Sequence, residues 1–166
     1  MKAMKKLRSG SLGALLFVSL LTLNACKTDK SEVKPDDGVP VFVDKKWATV
    51  SSTVSPKIDL DGDGTPDEDL FAPVPDCEKD DMILMQRDGK YFLDNGEKKC
   101  NATDPASEQL GTWKYTAATK TILISDTEGN EQHWLVLEST ATRLKMQNTT
   151  AIQDTNYTLT VVMKAN

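Results

Sequence analysis

Histidine is almost missing from this chain of 166 residues: His133 is the only one. Imidazole-based metal sites and acid–base triads are therefore hard to build, and no Ser, Cys or Asp arrangement marks a nucleophile. Acid pairs such as Asp80-Asp81 do not fill the gap, because adjacent residues of a strand point to opposite faces. Helical patterning is missing as well: no segment sustains a period of about 3.6 residues. No apolar run reaches the ~20 residues that a permanent bilayer-spanning helix needs. The longest, Leu12 to Leu23, is interrupted by Gly13, Ser19 and Thr22. Cations are in the minority, 20 against 25 anions, and cysteine occurs only at Cys26, Cys77 and Cys100.

What is present at the N-terminus is the pattern of a secretory signal peptide. Lys2, Lys5, Lys6 and Arg8 stand with no acidic residue before the apolar run. Leu23-Asn24-Ala25-Cys26 follows directly and resembles the lipobox of bacterial lipoprotein precursors, with Asn24 its least usual residue. That resemblance implies cleavage after residue 25 and lipidation of Cys26; several acyl chains together anchor a protein durably where one does not. The competing reading is an ordinary signal peptide cut elsewhere, with Cys26 incidental. The expected location is the cell envelope, lipid-anchored, with the outer membrane favoured and its periplasmic and outer surfaces both open.

Removing residues 1–25 takes away four cations and no anion, which moves the net charge from −5 to −9. So acidic a protein is a poor partner for nucleic acid and for anionic lipid headgroups. If lipid takes Cys26, an even pair is left, and an oxidising compartment lets Cys77 and Cys100 bond to each other. Two free thiols or half a metal site is the alternative, although zinc would want His and Cys neighbours that are not there.

Three parts are expected in the chain: a signal peptide over 1–25, a lipidated Cys and flexible linker over 26–44, and a single β domain over 45–166. The linker is rich in Lys, Asp, Glu, Pro, Ser and Thr apart from Val39-Pro40-Val41-Phe42-Val43. Beyond it, short alternating stretches separated by turn residues predict eight strands: 47–55, 81–86, 91–94, 111–116, 121–125, 131–138, 142–149 and 156–164. Arg87-Asp88-Gly89-Lys90 and Gly129-Asn130 read as hairpin turns. Leu144 and Met146 share a face, as do Tyr157, Leu159, Val161 and Met163, and so do Trp113 and Tyr115. An open sheet of eight strands with no covering helix would expose an apolar face and two edges. A small eight-stranded antiparallel up-and-down barrel removes both problems.

The order Cys77-Glu78-Lys79-Asp80-Asp81, Asp88-Gly89-Lys90-Tyr91, Cys100 and Gly111-Thr112-Trp113-Lys114 resembles the lipocalin-like domains common in lipoproteins of Bacteroidetes. The resemblance runs from about Trp47 to the C-terminus and implies a lipocalin-like barrel. In true lipocalins Gly-x-Trp lies on the first strand; here Lys45-Lys46-Trp47 lacks the glycine, and the motif comes midway.

Within the acidic loop expected over 56–76, Asp59, Asp61 and Asp63 recur at every second position, Gly62 and Gly64 permit a sharp turn, and Thr65 and Asp67 follow. Such alternating carboxylates, with a carbonyl from Thr65, suit a hard cation, so a structural Ca²⁺ is the candidate cofactor. Position twelve of an EF-hand loop is Leu70 here, leaving Asp69 or Glu68 as the substitute. Ten acids against the single base Lys79 lie between Asp59 and Asp81. A solvated loop whose Asp side chains bond only nearby amides is the alternative.

Trp113, Tyr115, Trp134 and Tyr91 are the candidate ligand-binding aromatics, although an eight-stranded barrel can equally be filled by its own side chains. Short strands with plentiful Met, Leu and Ile favour a mostly filled interior. His133 reads as a surface strand residue. The three sequons at Asn101, Asn148 and Asn156 carry no weight behind a lipobox. The expected function is a membrane-anchored, lipocalin-like lipoprotein that binds a small apolar ligand without catalysis. The alternative is an envelope-structural or protein-interaction lipoprotein with a Ca²⁺-stabilised loop.

Overall fold

The structure is a computed structural model, and it describes residues 38–166. The signal segment, Cys26 and most of the linker lie outside the described residues. Among the described residues there is no helix. Nine strands form: β1 (Lys46–Ile58), β2 (Asp67–Asp69), β3 (Met82–Met85), β4 (Lys90–Asp94), β5 (Ser107–Thr116), β6 (Thr121–Asp126), β7 (Glu131–Ser139), β8 (Arg143–Ile152) and β9 (Thr155–Ala165). β1 and β3 to β9 each pair antiparallel with the next, and β9 returns to β1. The result is a closed eight-stranded antiparallel barrel that leaves no free edge around its circumference, as expected.

The short β2 was not expected. It lies along the second half of β1, with Asp69 opposite Thr53 and Asp67 opposite Ile58, while β3 pairs with the first half through Trp47 and Ile83. Three acids in a row carry no strand signature; β2 exists because its backbone groups find partners on β1. Register shifts between Thr49 and Ser51, Tyr91 and Phe92, and Val136 and Glu138 mark bulges. Bulges bend and twist a strand, which curves the wall toward closure.

The connections separate the two ends. At one end lie the β3–β4, β5–β6 and β7–β8 turns and the start of β1; at the other lie the excursion 59–81 and the β4–β5, β6–β7 and β8–β9 connections. The first end is plugged. Trp47, Met85, Ile122 and Leu144 are fully buried, and Phe42 joins them at 1% exposure.

Phe42 corrects the expected linker boundary. Rather than continuing as a flexible tether to Asp44, residues 39–43 turn back on themselves, Val43 N–H donating to Pro40 O at 3.0 Å. The Phe42 ring then meets Trp113 and Tyr115 edge-on, at 5.8 and 5.4 Å between centroids. Its carbonyl accepts from Trp47 Nε1 at 2.9 Å. Asp44 completes the seam: its N–H donates to Met85 O, and its carboxylate accepts from Arg87 N–H and Nε. Burial of an aromatic ring outweighs the polar composition around it.

Candidate functional site

Above the plug the barrel is hollow. A cavity of about 650 Å³ is walled by Ile83, Tyr91, Leu110, Ile124, Trp134, Met146, Val161 and Met163, with Thr49, Asp126, Thr127, Glu128 and Gln132 as its polar lining. The expected mostly filled interior therefore holds only for the plugged half. The remaining volume falls within the ~300–1,000 Å³ typical of small-molecule pockets.

The walls follow from strand alternation. Ile122 and Ile124 of β6, Trp134 and Val136 of β7, Leu144 and Met146 of β8, and Val161 and Met163 of β9 all belong to the barrel core. On β6 and β8 the residue nearer the plug, Ile122 or Leu144, is sealed, whereas its partner two positions toward the mouth, Ile124 or Met146, reaches the cavity; on β9 both Val161 and Met163 reach it. Asp126, Thr127 and Glu128 come from the turn that leaves β6, so the cavity meets solvent at the end opposite Phe42.

The four candidate aromatics divide by height. Tyr91 and Trp134 line the cavity. Trp113 and Tyr115 face inward too but stand at the plugged end, where both touch Phe42 and Trp113 Nε1 donates to Gln86 O at 2.8 Å. They are core residues of the plug and not part of the cavity wall. Alternation identifies the face of a strand but not the height along it. Ile83, Leu110, Ile124, Met146, Val161 and Met163, which the sequence did not single out as a site, complete the wall; the only available signal was their place on an inward strand face.

Polar groups at the cavity are few and fixed. Trp134 Nε1 donates to Gln132 Oε1 at 3.2 Å. The Asp126 carboxylate accepts from Asn130 Nδ2 and N–H, each at 2.8 Å, and from Glu128 N–H at 2.9 Å, and these bonds, those from Asn130 first, hold its pKa below the usual range. Burial pushes the Tyr91 phenol up, so it stays neutral over the physiological range. Its hydroxyl has no hydrogen-bond partner among the described residues.

The Asp-rich loop lies in the excursion between β1 and β3. Carboxylate oxygens of Asp59, Asp61 and Asp63, all exposed, lie within 4.8 Å of one another. They also organise the turn: Gly62 N–H donates to Asp59 Oδ1 at 2.7 Å, Gly64 N–H to Asp59 Oδ2 at 3.0 Å, Asp63 N–H to Asp61 Oδ1 at 3.1 Å, and Thr65 N–H to Asp63 Oδ1 at 2.7 Å. Thr65, Asp67 and Asp69, the other expected ligands, are not part of that carboxylate trio. Asp67 and Asp69 belong to β2, and Asp69 Oδ1 accepts from Phe71 and Ala72 N–H.

Two ties bind this excursion to the β4–β5 connection. Cys77 and Cys100 form a disulfide with 5.1 Å between Cα atoms. Asp80 Oδ2 accepts from Glu97 and Lys98 N–H at 2.8 and 3.0 Å, and these two bonds, that to Lys98 first, lower its pKa. Gly96 is required there, since a Cβ would lie 2.6 Å from Asp80 Cγ. Asp81 is the opposite case: burial, then the negative charges of Asp80, Glu78, Asp94 and Asp104, raise its pKa, and its Oδ1 has no partner. His133 is exposed on β7 beside Leu123 of β6 and takes no part in the cavity.

No curated protein and no solved structure matches the chain. A family model described as a lipocalin-like domain matches residues 43–146, from the plug into β8. With the closed eight-stranded barrel and the one-ended cavity already in place, that match is decisive: the chain belongs to the lipocalin-like domain family.

Proposed function

We propose that this protein is a lipid-anchored lipoprotein of the bacterial cell envelope whose barrel binds one small apolar molecule without transforming it. The cavity carries the binding half of the proposal: about 650 Å³, open at one end, with an apolar wall that includes Trp134 and Tyr91. Release of water from such a wall drives binding of an apolar guest. The lining offers carboxylates, a phenol, an amide and two threonines but no Ser, Cys, His or Lys from which a nucleophile and its base could be paired. The anchor rests on the N-terminal pattern that ends at Cys26.

Binding is tested by titration with the uncharged fluorophore N-phenyl-1-naphthylamine. Saturable one-to-one binding that Val161→Trp abolishes while the far-ultraviolet spectrum is kept supports the reading. Binding unaffected by that variant contradicts it. The anchor is tested separately: Cys26→Ser eliminates incorporation of labelled palmitate and moves the protein out of the membrane fraction, with the outer membrane the fraction expected for the unaltered chain.

The convergence of Asp59, Asp61 and Asp63 favours a second reading, in which the loop takes a structural Ca²⁺ and the protein serves as an interaction or structural component of the envelope. Ca²⁺ binding to the folded state raises the melting temperature by mass action. Millimolar Ca²⁺ is expected to stabilise the parent and not an Asp61→Ala, Asp63→Ala double variant. Equal curves with and without Ca²⁺ count against the site.

A further inference from the structure

The charge around the cavity is one-sided. Asp126 and Glu128 contribute carboxylates at its mouth, and no Lys, Arg or His is among the lining residues. Three cations elsewhere near this end are already engaged, Lys57 pairing with Glu68 at 3.5 Å, Lys79 with Asp76 at 3.4 Å, and Lys99 Nζ donating to Asp104 O at 2.6 Å, while the charge of Lys98 acts on Asp80. Asp126 cannot readily shed its charge, because three donors hold it as the carboxylate. The whole chain is anionic as well, so its long-range field has the same sign as the mouth.

The other polar groups that line the cavity are neutral. The Tyr91 hydroxyl lacks a protein partner among the described residues, and Gln132, whose Oε1 is taken by Trp134, keeps its amide N–H groups available. A guest entirely apolar would displace water from the phenol without replacing its hydrogen bonds, which costs free energy.

We propose that the cavity selects amphiphiles with a compact apolar body and a neutral or cationic hydrogen-bonding head, and discriminates against carboxylate-headed ones such as fatty acids. This rests on the cavity being a binding site at all. An anionic head placed at the mouth faces Asp126 and Glu128 with no counter-charge on the lining, whereas an alcohol or amine meets acceptors there. The apolar body lies against Trp134, Met146 and Val161.

The test uses the full chain, purified free of detergent, and three probes of equal tail length below their micelle concentrations: decanol, decylammonium and decanoate. Each competes against bound N-phenyl-1-naphthylamine. Decanoate is expected to bind at least about tenfold more weakly than decanol, a discrimination of about 1.4 kcal/mol, and decylammonium at least as tightly as decanol. Glu128→Lys should narrow the decanoate gap; Glu138→Lys, the same change of charge at the plugged end, should leave it. Decanoate equal to or tighter than decanol overturns this selectivity and leaves the binding site standing. Failure of all three probes to bind overturns the binding reading and the selectivity with it.

Discussion

Replacing Phe42 with alanine removes a ring that is 1% exposed and lies edge-on against both Trp113 and Tyr115. Truncating a buried phenylalanine costs about 3–5 kcal/mol, the transfer of the lost atoms plus the cavity left behind. The surroundings cannot collapse easily, since Trp47 and Trp113 are held by hydrogen bonds to Phe42 O and Gln86 O. A loss near 4 kcal/mol is therefore expected. At roughly 2.1 cal/mol/K of unfolding entropy per residue, that corresponds to a drop of about 15 °C in melting temperature for a domain of this size. Urea denaturation followed by tryptophan fluorescence reads it, with the slope against denaturant unchanged. Val41→Ala is the internal control: Val41 is 50% exposed one residue away, and its truncation should cost less than about 0.5 kcal/mol. If the two variants unfold alike, residues 39–43 are tether after all and the plug is wrong.

The other expectations concern the wall and the loops. Gly111→Ala should destabilise by about 1–3 kcal/mol, because a Cβ there would collide with Ser125 O and lie 2.9 Å from Asp126 Cα, both backbone atoms of β6 that cannot step aside; the same denaturation curve reads it. Asp81→Asn should raise the melting temperature at pH 7. The folded pKa of Asp81 is raised, so its contribution is fully present below the unfolded value of about 3.8 and is lost as pH rises through the folded one. Parent and variant should therefore converge near pH 3, and an equal difference at both pH values would remove Asp81 from the explanation. Replacing Cys77 and Cys100 together by serine frees a loop spanning 23 positions, for which chain entropy gives a loss of roughly 3 kcal/mol; a variant as stable as the parent contradicts that estimate.

The strands that could be read from the sequence are those whose neighbours enforce alternation. β8 and β9 show it plainly, Leu144 and Met146 against Arg143 and Lys145, because one face is packed and the other wet. Closure followed from eight such strands with no helix to cover them. β2 escaped because Asp67, Glu68 and Asp69 are held by backbone pairing alone. Phe42 escaped because five apolar residues without periodicity, set in a polar stretch, look the same whether solvated or folded under a barrel. The cavity was legible only in part. Trp113, Tyr115 and Trp134 could all be named as candidate pocket aromatics, but which of them stands at the plug and which lines the cavity depends on the register of β5 with β6 and of β6 with β7, and on the plug itself. Parity of cysteines, by contrast, pointed directly at the Cys77–Cys100 bond.

Methionine-methyl NMR tests the binding cavity most directly, because the described methionines sample both the cavity and its surroundings. Met146 and Met163 line the cavity, Met85 is sealed at the plugged end, and Met82 opens the short β3. Titration with decanol should shift the Met146 and Met163 methyl signals saturably and leave those of Met82 and Met85 in place. Shifts centred on Met82 or Met85, or no shift at Met146 and Met163 when decanol is in excess, would contradict a ligand-binding barrel.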